Sequence, residues 1–268
     1  MKNLSTDNKH LSIQLRLDGF SFCVLDKNTG FFDVVKTLEI AAGTITPQIQ
    51  LDFLKTSFTA DESLSQKFDS IAVSHSNNLS TLVPKPFFNK ENLNDYLQYN
   101  LKVLENDYIT YDEFTTAEMV NVYIPFVHIN NFLFDKFGSF EYKHSASILV
   151  ELLLATYKND DKNHFFVHVD NEQFQIVVLK NKKLEFFNSF NFKTKEDFIY
   201  YVLFTSEQLQ LNPEEFVLTF LGGVEKESEL YDIVFKYVRN IEFLNLENDA
   251  IQHLDISKHS NIIVLNQH

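Results

Sequence analysis

His164, His168 and Asp170 alternate along one stretch and share a face, and all three are residue types that ligate metals. Residues two apart on a strand are separated by about 7 Å and those four apart by about 13 Å, so one ion cannot reach both histidines and no metal is expected. Cys23, the one cysteine, lies between Phe22 and Val24 and reads as a buried, inert thiol. Asp112-Glu113 and Asp160-Asp161 read as solvated turn charges rather than acid–base dyads. His75, His128 and His144 are scattered and read as surface or cap residues. No catalytic residue is assigned. Three turn sequences remain: Asp18-Gly19, Asp170-Asn171-Glu172 and Gly222-Gly223. Glycine is otherwise scarce, six in 268 residues, or about 2% against an average near 7%. Backbone cradles for phosphate, which use glycine for close approach, are correspondingly few.

The elements that place these turns are legible from periodicity. Leu11, Ile13, Leu15 and Leu17 alternate with Ser12, Gln14 and Arg16, the signature of a half-buried strand. Asp18-Gly19 is the hairpin turn, Phe20 to Asp26 the returning strand, and Phe31 to Ile40 a third strand after a second turn. Thr46-Pro47 caps a helix running to about Phe58. Short strands are expected at 68–74 and 81–84, a helix over 89–104, and paired strands at 109–114 and 119–124. A helix over 127–137 stops at Gly138, a short edge strand follows at 139–143, and 145–157 is the most apolar helix. The polar run 158–162 marks a boundary between residues 1–160 and 161–268. Beyond it come three strands (164–170, 173–179, 183–190), with Asn171 taking the positive-φ turn position. A helix (194–209), a strand (215–221), a helix (225–239) and a strand (241–246) follow, and Ile262 to Leu265 reads as a last strand.

Composition narrows the class of function. Hydrophobic residues make up 44% and charged residues 22%, an ordinary globular balance. Phe, at 28 residues, dominates the aromatics; paired phenylalanines in strands put a ring on each face, so the sheets are expected to be covered on both sides. A net charge of −14 disfavours nucleic acid and anionic membrane surfaces as partners. A single cysteine, no apolar leader and no apolar run near the roughly 20 residues that span a bilayer point to a cytoplasmic protein without membrane insertion.

Both halves read β-β-β-α-β-α-β, the first with added elements. Three antiparallel strands followed by alternating helices and parallel strands make a ribonuclease-H-like unit. Two in tandem make the mixed α/β, actin-like ATPase architecture shared by actin, sugar kinases, heat-shock seventy chaperones and pilus and type II secretion scaffolds. The repeat is one of element order, with no residue-level similarity between halves. Leu82-Val83-Pro84 with Phe87-Phe88, Val122-Tyr123-Ile124-Pro125-Phe126 with Ile129-Asn130-Asn131, the His144-Ser145-Ala146-Ser147 helix start and the Phe166–Asp170 strand carry a further resemblance. On these residues the chain resembles an uncharacterised domain-of-unknown-function family, found chiefly in Bacteroidetes-type bacteria and associated with the actin-like fold. The resemblance spans nearly the whole chain and implies no established activity.

The actin-like architecture implies where a nucleotide would lie. In such ATPases an Asp and a glycine-rich turn in each half hold phosphates and Mg²⁺, and a glycine pair packs on the adenosine. Carried onto this chain, the implied positions are Asp18 and Gly19, Asp170, and Gly222 and Gly223. The first turn places bulky Phe20 where backbone must approach a phosphate. The second follows Asp170 with Asn171, Glu172 and Gln173 and has no glycine; Glu172 opposes an anion by on the order of 1 kcal/mol. Glu225, Glu227 and Glu229 load the helix start after Gly222-Gly223 with negative charge. No cofactor is therefore expected, and ATP with Mg²⁺ stands only as the alternative. The expected role is a non-catalytic actin-like scaffold that binds a protein partner or self-associates.

Overall fold

Leu11, Ile13 and Leu15 on one side of the first strand are fully buried, and Ser12, Gln14 and Arg16 on the other are buried too. A strand buried on both faces requires a layer on each, and the computed structural model, which describes residues 8–41, 43–99, 101–246 and 248–267, supplies them. Strands β1 (Lys9–Arg16), β2 (Gly19–Asp26) and β3 (Phe31–Glu39) form an antiparallel meander. Helix α1 (Pro47–Ala60) then crosses over to β4 (Ser70–His75), parallel to β1. Thr46 caps α1, its hydroxyl accepting from the Ile49 amide at 3.3 Å, with Pro47 in the first turn as expected.

An insertion follows: β5 (Ser80–Pro84), α2 (Leu93–Leu97), β6 (Thr110–Glu113) and β7 (Met119–Tyr123), with the strands in the order β5-β7-β6 around their own small core. Helix α3 (Val127–Phe137), ended by Gly138 at φ +79°, leads to β8 (Glu141–His144), which edges the first sheet beside β4. Helix α4 (Ser145–Thr156) ends this half. The second half repeats the order with β9 (His164–Asp170), β10 (Gln173–Lys180), β11 (Lys183–Asn191), α5 (Lys195–Gln208), β12 (Val217–Gly222), α6 (Glu229–Phe235) and β13 (Asn240–Phe243). The main sheets read β3-β2-β1-β4-β8 and β11-β10-β9-β12-β13, the same topology twice.

Four expectations of element type or extent are corrected. Residues 89–104 form a 3₁₀ turn and the five-residue α2, because Leu93, Tyr96, Leu97, Leu101 and Val103 all turn back onto the small core of the insertion. The helix expected from Glu225 starts at Glu229: Glu227 has φ +71°, and Ser228 supplies the cap by accepting from the Tyr231 amide at 3.3 Å. Ile262 to Leu265 is a helical turn, α7 (Ile262–Leu265), not a strand; all four residues are buried between the sheets, where no strand edge is offered. The first hairpin turn is Leu17-Asp18, with Gly19 already paired to Arg16 as the first residue of β2.

Each sheet carries an outer core. Leu11, Ile13, Leu15, Phe20 and Phe22 pack with Leu54 and Phe58 of α1 and Ile129 and Leu133 of α3. Phe165, Val167, Val169, Phe174 and Ile176 pack with Phe198 and Val202 of α5 and Ile233 and Val234 of α6. We call each sheet with its outer helices a lobe. Between the lobes lie α4, packed on Phe166, Val177 and Leu179, and α7, whose Val264 and Leu265 pack on Cys23, Leu25 and Phe32.

Candidate functional site

The two leading hairpins have turns of equal length. Arg16 pairs with Gly19 across Leu17-Asp18, and Asp170 pairs with Gln173 across Asn171-Glu172. Register therefore makes Arg16, not Asp18, the equivalent of Asp170, and Gln14 the equivalent of His168. These inward-facing residues meet between the lobes. Arg16 Nε lies 3.2 Å from Asp18 Oδ1 and 3.4 Å from Asp170 Oδ1, Nη1 donates to Ser21 Oγ at 3.0 Å, and Nη2 is 3.9 Å from Glu39 Oε1. Asp170 Oδ2 also accepts from Gln14 Nε2 and Ser76 Oγ, each at 3.3 Å. The Asn171 side-chain amide donates to Asp18 Oδ2, closing the ring between the two turns. Arg16 is held from behind as well: its carbonyl accepts from Gln50 Nε2 of α1 at 2.5 Å, and Gln50 Oε1 faces His128 Nε2 of α3 at 3.0 Å.

Four of the five residues implied by the architecture, Asp18, Asp170, Gly222 and Gly223, line this cleft, whereas Gly19 packs against β3; each has a partner inside the protein. Gly19 is buried, and a Cβ there would lie 2.2 Å from the Leu38 carbonyl oxygen, so its glycine is required by the neighbouring strand. Gly222 stands at φ +82°, where a Cβ would come within 2.1 Å of the Val169 carbonyl oxygen. The Gly222 amide donates to the His259 carbonyl and the Gly223 amide to the Val169 carbonyl, both at 2.8 Å. A helix or turn binds an anion with free N–H groups, and this pair has spent both. Asn171 takes φ +56°, as the turn requires. Phe20 and Phe174 do not fill the cleft; both rings are buried in the outer cores.

The cleft stays open and is lined by charge. A cavity of about 320 Å³ behind Arg16 is lined by Gln14, Ser21, His168, Asp170, Gly223 and Asn261. One of about 470 Å³ at the mouth adds Leu17, Asp18, Ile40, Ile45 and Glu172. His168 is pushed below the ordinary imidazole range, chiefly by burial, against the pull of Asp170. A guanidinium between carboxylates neutralises them as a bound cation would, with fixed fork geometry. Reading the sequence singled out Asp18 and Asp170 and passed over Arg16, Gln14, Ser76 and Gln50. One signal was available: Arg16 is one of two arginines in the chain, and it ends the polar face of a strand at a turn.

The remaining candidates fall elsewhere. Among the described residues no group of three or more His, Cys, Asp or Glu could hold a metal ion; His164 Nε2 is 3.3 Å from Asp160 Oδ2 instead. Cys23 is fully buried, its thiol pushed up to about 12 by desolvation and donating to the Val264 carbonyl at 3.2 Å. Asp112, expected as a solvated turn charge, is half-buried and accepts from the His144 amide (2.8 Å), Ser147 Oγ (2.6 Å) and Tyr123 Oη (3.0 Å); burial raises its carboxyl. It ties β6 to the start of α4. His75 and His144, expected as surface or cap residues, are both fully buried, and His144 caps α4 from within, its Nδ1 accepting from the Ala146 amide at 3.1 Å. No helix among the described residues is long and apolar enough to cross a membrane.

Comparison with known proteins agrees with the fold. The chain is similar to a protein of actin-like ATPase fold and unknown function from Bacteroides thetaiotaomicron, with a TM-score of 0.79 and 21% identity over 95% of this chain and 98% of that one. It is also similar to a structure of the PilM-PilN type IV pilus biogenesis complex, with a TM-score of 0.62 and 12% identity over 96% and 97% of the respective chains. These likenesses establish the actin-like ATPase fold. No curated protein matches the chain. Residues 1–241 match the model of the family described as protein of unknown function DUF3822, and the chain, a mixed α/β protein of actin-like fold, belongs to that family.

Proposed function

We propose that this is a non-catalytic, actin-like protein of the cytoplasm that works by binding a protein partner or by self-association, with lobes dividing near residue 160. The observation that carries the reading is Arg16 between Asp18 and Asp170. Mg²⁺ requires oxygen ligands with free lone pairs and a site that tolerates a second cation. Here the carboxylates are already neutralised, and the guanidinium would repel an incoming ion. The residues present do not fit ATP with Mg²⁺. A chain of similar fold occurs in the PilM-PilN type IV pilus biogenesis complex, which makes a protein partner the natural class of ligand. The net charge of −14 argues against nucleic acid. Isothermal titration with ATP and Mg²⁺ is expected to give no binding heat and no phosphate release; micromolar affinity with turnover would sink the reading.

One observation favours a second reading, weak ATP binding or hydrolysis: Asp18, Asp170, Gly222 and Gly223 do line the cleft between the lobes. On that reading Asp170→Ala abolishes nucleotide affinity, and an unchanged affinity counts against it.

A further inference from the structure

The bonds across the cleft are more than contacts of convenience, because one charge supports them all. Four carry first-lobe groups to second-lobe groups: Arg16 to Asp170 (3.4 Å), Gln14 to Asp170 (3.3 Å), Ser76 to Asp170 (3.3 Å), and Asn171 to Asp18. Arg16 is fixed before the second lobe docks. Its own lobe holds the guanidinium through Asp18 and Ser21 and its carbonyl through Gln50, and only about 10% of the side chain is exposed. Take the guanidinium away and Asp18, Glu39 and Asp170, all within 4 Å of it, are left facing one another without a cation. Like charges gathered around one vacated position in a half-buried cleft repel. At the cleft the lobes are then pushed apart, about the apolar packing of α4 and α7, unless a cation is recruited from solution.

We propose that Arg16 is a tethered cation that holds the two lobes shut, so that the closed arrangement of this protein needs no ligand. This rests on the reading that the cleft does not run on ATP and Mg²⁺. It adds a state to that reading: a scaffold whose shape is constant, whatever the nucleotide supply, and whose partner meets one preformed surface. The hairpin register makes the point directly, since the position that holds a carboxylate in the second lobe holds the neutralising charge in the first.

The test measures lobe separation. Thr59 on α1 and Glu207 on α5 are exposed; replaced by cysteine and spin-labelled, they report the distance between lobes, while buried Cys23 stays unlabelled. The parent is expected to show one narrow distribution that MgCl₂ leaves unchanged. Arg16→Met is expected to broaden and lengthen it and to lower the melting temperature by about 10 °C, as loss of one member of a buried ion pair does. Arg16→Asp is expected to open the lobes likewise and, unlike the parent, to close them again with millimolar MgCl₂ alone. An Arg16→Met distribution that superimposes on the parent overturns the proposal, and so does an Arg16→Asp variant indifferent to MgCl₂. Should Arg16→Met fail to fold, Arg16→Gln removes the same charge while keeping hydrogen-bonding capacity, and a closed Arg16→Gln protein overturns the proposal equally. Nucleotide binding by the parent, read in a separate titration, would instead remove the functional reading beneath it.

Discussion

Gly222 and Gly223 are neighbours with different reasons to be glycine. Gly222 has a left-handed φ of +82° and no room for a Cβ, which would meet the Val169 carbonyl oxygen at 2.1 Å. At Gly223 the nearest atom to such a Cβ is 3.7 Å away, an ordinary contact, and φ is not left-handed. Gly222→Ala is therefore expected to destabilise the protein by roughly 3 kcal/mol, the left-handed penalty plus displacement of the β9 end, and Gly223→Ala by under about 0.5 kcal/mol. Urea unfolding of the two variants checks this, and equal midpoints would refute it. A glycine pair between strand and helix thus marks close backbone approach here before it marks a ligand. The same scale shows what a sequence can and cannot disclose. Asn171 was legible because its turn geometry is local. Arg16 was not, because its meaning lies in Asp170, a residue from the other half that only the folded register brings to 3.4 Å.

His75 ends β4 and His144 ends β8, and the two are register partners in the parallel ladder. Both rings are fully buried, and burial depresses each to about 3, helped for His75 by the nearby His144. The folded state therefore keeps both neutral, while the unfolded chain protonates them below its ordinary value near 6.5. Their stability is fully present above pH 6.5 and is lost as pH falls toward 3. By pH 5.5 the two together are expected to remove about 3 kcal/mol. Urea midpoints across that range check the slope, and His75→Gln is expected to reduce it; a flat profile from pH 7 to 5 would refute the prediction. At this scale most of the fold was legible. Period-two alternation gave both meanders, and Thr46-Pro47 gave the start of α1. What failed were segments whose form depends on distant surroundings. The run Ile262 to Leu265 is β-branched and apolar, as a strand would be, yet it is enclosed between two sheets without an edge to join. Residues 89–104 have helical spacing, yet they wrap a core too small for a straight helix.

At the scale of the molecule the halves exchange coverings. Helix α4 belongs by sequence to the first 160 residues, but Ile148, Leu149 and Leu153 pack on Phe166, Val177 and Leu179 of the second sheet. The last residues return the favour, with Ile251, Val264 and Leu265 packing on Cys23, Leu25 and Phe32 of the first. Each sheet takes much of its inner cover from the other half of the chain, with Ile262 and Ile263 of α7 adding to that of the second. A fragment of residues 161–268 would expose Phe166, Val177, Leu179 and Leu221 to water, and each buried side chain of this kind is worth about 1.5–3 kcal/mol. The total rivals the 5 to 15 kcal/mol or so that a whole domain has to spare. Fragments 1–160 and 161–268, made separately, are expected to lack cooperative unfolding and dispersed amide spectra, and to regain both when mixed. A cooperative transition in either fragment alone would show that the exchanged helices are dispensable. The polar run 158–162 separates the strands of the two sheets in sequence, but a buried cluster crosses it. The run lies at the surface where the chain passes between lobes, while the apolar residues flanking it, Leu153 and Phe166, share one cluster.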